Sequence, residues 1–479
     1  MKKICFTIAL IMIILFTQTA VSQNAADYKS LEGSWLGKIP AGGISLRVIF
    51  NLSLAGKDSL AATLDSPDQG AKNIKIGPVI LNGNELTIKA PLLLGEYKGI
   101  VTGDTLIKGD WTQAGRTTPL ELRKLKKAFA LNRPQEPKPP FPYFSEDITF
   151  MNDKAGIELA GTLTLPKGNG PFPAIIMITG SGSQNRNEEL LGHKPFWVIA
   201  DYLSKNGIAV LRYDDRGVGK SGGTPLNATS ADFATDAEAA FLYMSIRKEI
   251  NPRMIGFAGH SEGGFIAPIV ASQNKQVAFI ISLAGPGVKG EEIIHTQNFD
   301  ISSASGIDIR EINEGIATNK KLFGVLKKEK DNKIAEEKIA SVYGKILAKK
   351  GTSQEDSEKA IRQLNASLNP VSYNWMRYFL FTDPASFWKK VKCPVLALNG
   401  EKDLQVSSKV NLPAIAKAVK SGGNNSVTTV SLPELNHLFQ HSKTGLPSEY
   451  GDIEETFSPE VLKIMKEWIL GLQASPQAF

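Results

Sequence analysis

Runs of apolar residues without solvent-facing alternation constrain this chain more than anything else in it. They are Ala174–Ile178, Ile208–Leu211, Met254–Ala258, Ala278–Leu283, Pro394–Leu398 and Val427–Leu432. A strand with one wet face alternates apolar and polar residues, whereas a strand covered on both faces does not. The runs therefore predict a mostly parallel sheet buried on both sides. Between them, Phe196–Lys205 and Phe233–Ile250 read as helices, the second with Asp232 as its cap. Right-handed crossovers then give a three-layer α/β sandwich. With 479 residues, 42% hydrophobic and 22% charged, the chain has material for a second domain and is too apolar to be disordered.

The N-terminus has a different composition. Lys2 and Lys3 precede the apolar run Ile4–Phe16, and Ala20-Val21-Ser22 follows as a small-x-small pattern. This reads as a secretory signal peptide over 1–22, so the chain is expected to be exported to the periplasm or beyond. An uncleaved anchor is the other reading, for which the run is short of the ~20 residues a span needs. Cleavage takes away two lysines and no acid, lowering the formal charge from +7 to +5, and it also removes Cys5. Cys393 is then alone, which excludes an intrachain disulfide. Its place at the head of a buried strand suits a small apolar side chain. The basic residues are dispersed with no aromatic stripe among them, so no nucleic-acid partner is implied, and no stable membrane partner is expected.

From Leu31 to Lys124 the signals are those of short strands. Ile44–Phe50 leans toward alternation, and Asn82-Gly83 and Gly103-Asp104 are turns. An all-β barrel or meander is expected over 27–130. Five prolines between Pro134 and Pro142 mark a semi-rigid linker over 131–145. The α/β domain then occupies 146–479, opening with a hairpin of Asp147–Met151 and Ile157–Leu165. Between Leu283 and Cys393 no strand signal occurs, and Lys, Glu, Ile and Leu recur at helical spacing, so a helical cap is expected over about 288–390. Its charges read as a solvated helix face. Phe323, Trp375, Tyr378 and Phe379 either line a pocket there or hold cap to core.

The chemistry centres on Gly259-His260-Ser261-Glu262-Gly263, between the strand ending at Ala258 and a helix opening at Gly264. So sharp a strand-to-helix turn forces its central residue into a left-handed conformation and needs glycine two residues to either side. Ser261 is thereby lifted out of the sheet as a candidate nucleophile. A serine hydroxyl needs a base and an acid that orients it, expected in the order Ser, acid, His. Asp403 follows the strand Pro394–Leu398, with Glu401 in the same loop as competitor, and His437 follows the strand Val427–Leu432. Both belong to the sheet edge from which Ser261 emerges. His193, His260 and His295 precede any suitable acid, and His441 lies a turn beyond His437. The tetrahedral oxyanion needs two N–H donors. Glu262 supplies one by position, and the loop Thr179-Gly180-Ser181-Gly182 supplies the other, from Ser181 or, failing that, Gly182.

On these residues the segment from Ala174 onward resembles the α/β-hydrolase superfamily, in detail bacterial exported serine esterases. The matching pieces are the loop Gly180–Arg186, the turn Asp215–Ser221, the serine elbow, and the loops of Asp403 and His437. Gly33-Ser34-Trp35 and Gly109-Asp110-Trp111 resemble the lipocalin-like meanders fused to some bacterial hydrolases, although such tryptophans also serve as core anchors. The resemblance implies hydrolysis of small-molecule carboxylic esters through an acyl-serine intermediate, with no cofactor. Where the common oxyanion loop begins His-Gly, this chain has Thr179-Gly180, which leaves the second donor open.

Other readings are weaker. Gly217–Gly222 fits G-x-G-x-x-G, but Gly223-Thr224-Pro225 stands where a dinucleotide-binding helix would begin. A P-loop requires glycine at position 214, which is Asp214. Arg216 beside this turn reads as a buried ion pair or loop brace. No metal-ligand spacing occurs. A serine peptidase of the same superfamily is the alternative function, with Glu262 or Glu188 to receive a substrate amine. A thioesterase is disfavoured by export, and a dead hydrolase serving as a binding protein is disfavoured by the complete Ser-Asp-His set.

Overall fold

The computed structural model describes residues 27–41, 43–56, 59–368 and 372–474. The expected signal segment, 1–22, lies outside them. The chain forms two compact units. The first takes in the described residues up to Ile39, with Val48–Asp65 and Lys72–Phe129, and the second takes in Pro40–Arg47, Ser66–Ala71 and everything from Ala130.

After a single helical turn α1 (Tyr28–Leu31), the strands β1 (Gly33–Ala41), β2 (Ile44–Gly56), β3 (Ser59–Ser66), β4 (Ala71–Ile76), β5 (Val79–Asn82), β6 (Glu85–Ala90), β7 (Gly95–Val101), β8 (Leu106–Gln113) and β9 (Arg116–Lys124) form one antiparallel sheet. Its order is β4-β3-β2-β1-β9-β8-β7-β6-β5. Trp35 and Trp111 are buried in its core with Phe50 and Tyr97, and the indole of Trp35 donates to the carbonyl of Leu31. Both tryptophans are thus anchors of packing.

The second unit has the expected hydrolase architecture. Its strands are β10 (Phe144–Asn152), β11 (Ile157–Leu165), β12 (Phe172–Ile178), β13 (Ala209–Tyr213), β14 (Ile250–His260), β15 (Ile280–Leu283), β16 (Val395–Gly400) and β17 (Val427–Leu432). They are ordered β10-β11-β13-β12-β14-β15-β16-β17, with β10 and β11 antiparallel and all pairs from β13 to β17 parallel. Successive side chains on a strand face opposite ways. Ile176 and Ile178 accordingly join one apolar cluster and Ile175 and Met177 the other.

Helices α2 (Pro195–Lys205), α3 (Ser230–Ser245) and α4 (Gly263–Gln273) interleave with the strands. A cap of α5 (Gly290–Ala304), α6 (Ile309–Lys328), α7 (Asn332–Lys349), α8 (Gln354–Leu368), α9 (Tyr373–Phe381) and α10 (Ala385–Trp388) separates β15 from β16, and α11 (Ser408–Ser421) and α12 (Pro459–Ala474) complete the fold. The core residues of α3, α4 and α11 pack into one cluster and those of α2 and α12 into the other, one on each side of the sheet. Among the described residues no helix is long and apolar enough to cross a membrane.

Local chemistry corrects one sequence expectation. α3 begins at Ser230, and its cap is Thr229, not Asp232. Thr229 and Asp232 form a reciprocal capping box in which Asp232 is the third helical residue, which moves the start forward. The helix also ends at Ser245, because Ile250 already pairs with Phe172 as the first residue of β14. The proline-rich segment belongs to the second unit. Arg133 donates to the carbonyls of Leu191, Gly451 and Ile453, and the amide of Gln135 donates to the carbonyl of Phe457. Cys393 is a free thiol packed against the core, and burial pushes it up to about 12, so it stays protonated and inert.

The glycine-rich turn after β13 is structural. Ser221 donates to the carbonyl of Asp214 and accepts from the amide of Ala160. Arg216 forms a buried ion pair with Asp236 at 2.7 Å, donates to the carbonyl of Asp232, and shares Asp236 with Asn152. Removing one partner of such a pair leaves an uncompensated buried charge. Asp236→Ala should therefore lower unfolding free energy by roughly 3–5 kcal/mol in urea titrations; a loss below about 1 kcal/mol would contradict this account of the brace.

Candidate active site

Strand β14 ends at His260 and helix α4 begins at Gly263, leaving Ser261 and Glu262 to make the turn. Ser261 has φ +51°, a left-handed conformation that costs a non-glycine residue about 1–3 kcal/mol. A Cβ on Gly259 would lie 2.0 Å from the carbonyl oxygen of Gly263, and one on Gly263 would lie 2.1 Å from that of Ile178. Only glycine fits at either position. The amide of Ser261 donates to the carbonyl of Leu283 at 2.9 Å, tying the turn to β15.

Asp403 follows β16. Its Oδ1 accepts from the amides of Gln405 and Val406, both at 2.8 Å, and its Oδ2 pairs with His437 Nδ1 at 2.8 Å. Both side chains are buried. Because a carboxylate only accepts, Nδ1 carries the proton, and in the neutral imidazole Nε2 is the free base. The loop of His437 is held by the fully buried Asn436, whose Oδ1 accepts from the amides of Leu438 and Gln440. Glu401 is exposed, with no hydrogen bond or ion pair to His437 among the described residues, while His441 is exposed and pairs with Glu455 at 2.8 Å. The structure thus brings Asp403 and His437 together and leaves their two competitors apart.

Ser261 and His437 line one cavity of about 300 Å³, completed by Gly180, Ser181 and Glu188 of the loop after β12 and by residues of the cap that include Ile293, Trp375 and Phe379. The amide of Gly180 is taken by Glu188 Oε1 at 2.6 Å. Those of Ser181 and Glu262 have no partner among the described residues.

Sequence reasoning passed over His260 because it precedes any acid. In the fold its Nε2 donates to the carbonyl of His437 at 2.9 Å, and its Nδ1 meets Glu188 Oε1 at 3.0 Å. Burial alone would pull this imidazole down, but the Glu188 charge and hydrogen bond, with the His437 carbonyl, hold it above its ordinary value. Glu262 was also underread. Its carboxyl accepts from Ser230 Oγ at 2.5 Å and from the Trp375 indole at 2.7 Å, and it hydrogen-bonds Ser181; burial raises it above the usual carboxylate range. No periodicity or spacing signals either cluster, since the partners are far apart in the chain.

These features are those of an α/β hydrolase with a helical cap. Residues 196–443 match the family described as serine aminopeptidase, S33. The chain belongs to that family. Among curated relatives, the esterase EstD of Thermotoga maritima is 26% identical over 313 residues, covering 64% of this chain, which spans 65% of that protein's length. A solved structure of the Pyrococcus furiosus esterase Pf2001 superposes with TM-score 0.43 at 16% identity, covering 72% of this chain and 98% of that one. Est1E of Butyrivibrio proteoclasticus with ferulic acid bound gives 0.40 at 17% identity, covering 68% and 100%.

One titration follows from the cavity wall. His193 is 1% exposed; its Nε2 donates to the carbonyl of Tyr450 at 2.9 Å, leaving Nδ1 to accept from Thr456 Oγ1 at 3.0 Å. Burial, reinforced by Arg133, pushes it down to about 4 from an ordinary 6.5. The unfolded chain therefore binds this proton first as pH falls. The contribution of neutral His193 is complete above pH 6.5 and is lost between pH 6.5 and 4, on the order of 3 kcal/mol. Urea titrations of His193→Gln and the parent protein across that range should show the flatter profile for the variant; parallel profiles would contradict the assignment.

Proposed function

We propose that this hydrolase cleaves carboxylic esters of small molecules through an acyl-serine intermediate, with Ser261 as nucleophile, His437 as general base and acid, and Asp403 as its orienting carboxylate. The observation that carries the reading is the Asp403–His437 hydrogen bond of 2.8 Å, with Asp403 fixed by two amides, in a pair whose imidazole shares a cavity with Ser261. No hydrogen bond joins Ser261 Oγ to the imidazole among the described residues; such bonds are commonly long before substrate binds. Ser261 Oγ attacks the carbonyl carbon as its proton passes to His437 Nε2, and Asp403 stabilises the imidazolium. The amides of Ser181 and Glu262 receive the oxyanion. The alcohol leaves with the proton from Nε2, and water repeats the sequence on the acyl-enzyme.

The carboxylates favour esters over substrates with a free amino terminus. Glu188, the acidic residue among those lining the cavity, is engaged with the Gly180 amide and His260, and the carboxyl of Glu262 is held by Ser230 and Trp375. A substrate ammonium would find no unpaired counter-charge there and would lose its hydration without compensation. The name of EstD also supports the ester reading.

Steady-state rates on p-nitrophenyl acetate and on aminoacyl p-nitroanilides test this directly. The parent protein should prefer the ester, and Ser261→Ala should lose roughly ten-thousand-fold in kcat while keeping its circular dichroism and melting temperature. Faster turnover of the anilides would favour the peptidase alternative, and undiminished turnover by the variant would overturn the nucleophile assignment.

A further inference from the structure

A second cavity, of about 390 Å³, lies beside the first and shares Ser181 and Trp375 with it. Its other walls include Pro225, Leu226, Ala228, Phe233 and Asp215. We infer that this cavity is a substrate subsite that takes an uncharged apolar substituent of the ester, an alkyl chain or a single aromatic ring, and that Trp375, mounted on Glu262, sets the size admitted. The inference rests on the ester reading and names the kind of substrate that reading leaves open.

Placement is the first argument. Ser181, whose amide is assigned to the oxyanion, is a wall of both cavities, so the second cavity adjoins the reacting carbonyl at that residue. The second argument is chemistry. The lining is apolar apart from small hydroxyl-bearing residues and one carboxyl, Asp215, whose two oxygens accept from Thr179 Oγ1 at 2.7 Å and the amide of Gln184 at 2.9 Å. Burial pushes that carboxyl up to about 7, and no lysine or arginine lines the cavity. An anionic substituent would be stripped of water with no cation to replace it, and would face the Asp215 carboxyl. Size is the third. A cavity of roughly 150 Å³ holds a benzene ring, so this one accommodates a ring or a medium-length chain.

Trp375 connects the subsite to the reacting centre. Its indole N–H donates to the carboxyl of Glu262, the residue next to Ser261, and its ring stacks on Phe379 at 5.3 Å and 6°. Glu262 also hydrogen-bonds Ser230 and Ser181. The same carboxyl thus positions both residues that the cavities share, which makes Glu262 a positioning residue through its side chain.

The test uses the full chain and two ester series: p-nitrophenyl esters from acetate to octanoate with benzoate, and alkyl acetates of increasing alcohol length. The first reports a substituent on the acyl side, the second one on the alcohol side. The readout is the ratio of kcat/KM for the large ester to that for the smallest in each series. Leu226 lines the cavity and is 60% exposed, so Leu226→Trp adds bulk at its wall with little expected cost to folding; it should cut the ratio in one series at least about tenfold. Trp375→Ala, which merges the cavities, should raise the same ratio. Ratios unchanged in both variants and both series, with acetate still hydrolysed by the parent protein, would overturn the subsite and leave the ester reading standing. A parent protein that turns over no ester in either series would remove the reading and the subsite with it.

Discussion

A hydroxyl can stand at the rim of this sheet because two glycines let a helix begin almost where a strand stops. With backbone carbonyls 2.0 and 2.1 Å from where their Cβ atoms would be, Gly259 and Gly263 admit no side chain. The contact they permit drives α4 against β12 and β14 and leaves Ser261 no conformation but the left-handed one. That strain is offset by burial, since α4 packs Phe265, Ile266, Ile269 and Val270 into the core. The parallel order of the sheet does the rest. β14, β15, β16 and β17 follow one another across the sheet in parallel register, so the loops after β16 and β17 leave from the rim where the turn sits. Convergence of Ser261, Asp403 and His437 is a consequence of topology, not of their spacing in the chain.

A second layer of buried polar contacts fixes this arrangement. His260 joins the elbow to the loop of His437 through that residue's carbonyl and to the loop after β12 through Glu188, which also holds the Gly180 amide. Buried pairs of this kind are weak contributors to stability but demanding in geometry. Glu262 does comparable work on the other side, linking the elbow to α3 through Ser230 and to the cap through Trp375. Each residue flanking Ser261 is therefore a junction between elements, and small displacements of the cap or of either loop are opposed at the reacting centre.

The sheet was legible in the sequence because burial on both faces leaves a direct mark: Ala174–Ile178 and Met254–Ala258 have no polar member to place in water. The elbow was legible because its glycines follow from sterics, and Asp403 and His437 because each lies just past a recognisable strand. What escaped depends on contacts across long chain separations. His260 was set aside on order, and nothing near Glu188 or Trp375 in the chain points to His260 or Glu262. The start of α3 escaped for a local reason, a capping box in which Thr229 lies three residues before Asp232.

The proposed chemistry depends on Ser261 being the activated nucleophile of a cavity built around His437. Reaction of the full chain with a fluorophosphonate, followed by peptide mapping, addresses it most directly. One adduct per chain is expected on the peptide containing Ser261, lost when His437 is replaced by Ala with the fold intact. An unlabelled protein, an adduct on another residue, or labelling that survives the loss of His437 would contradict it.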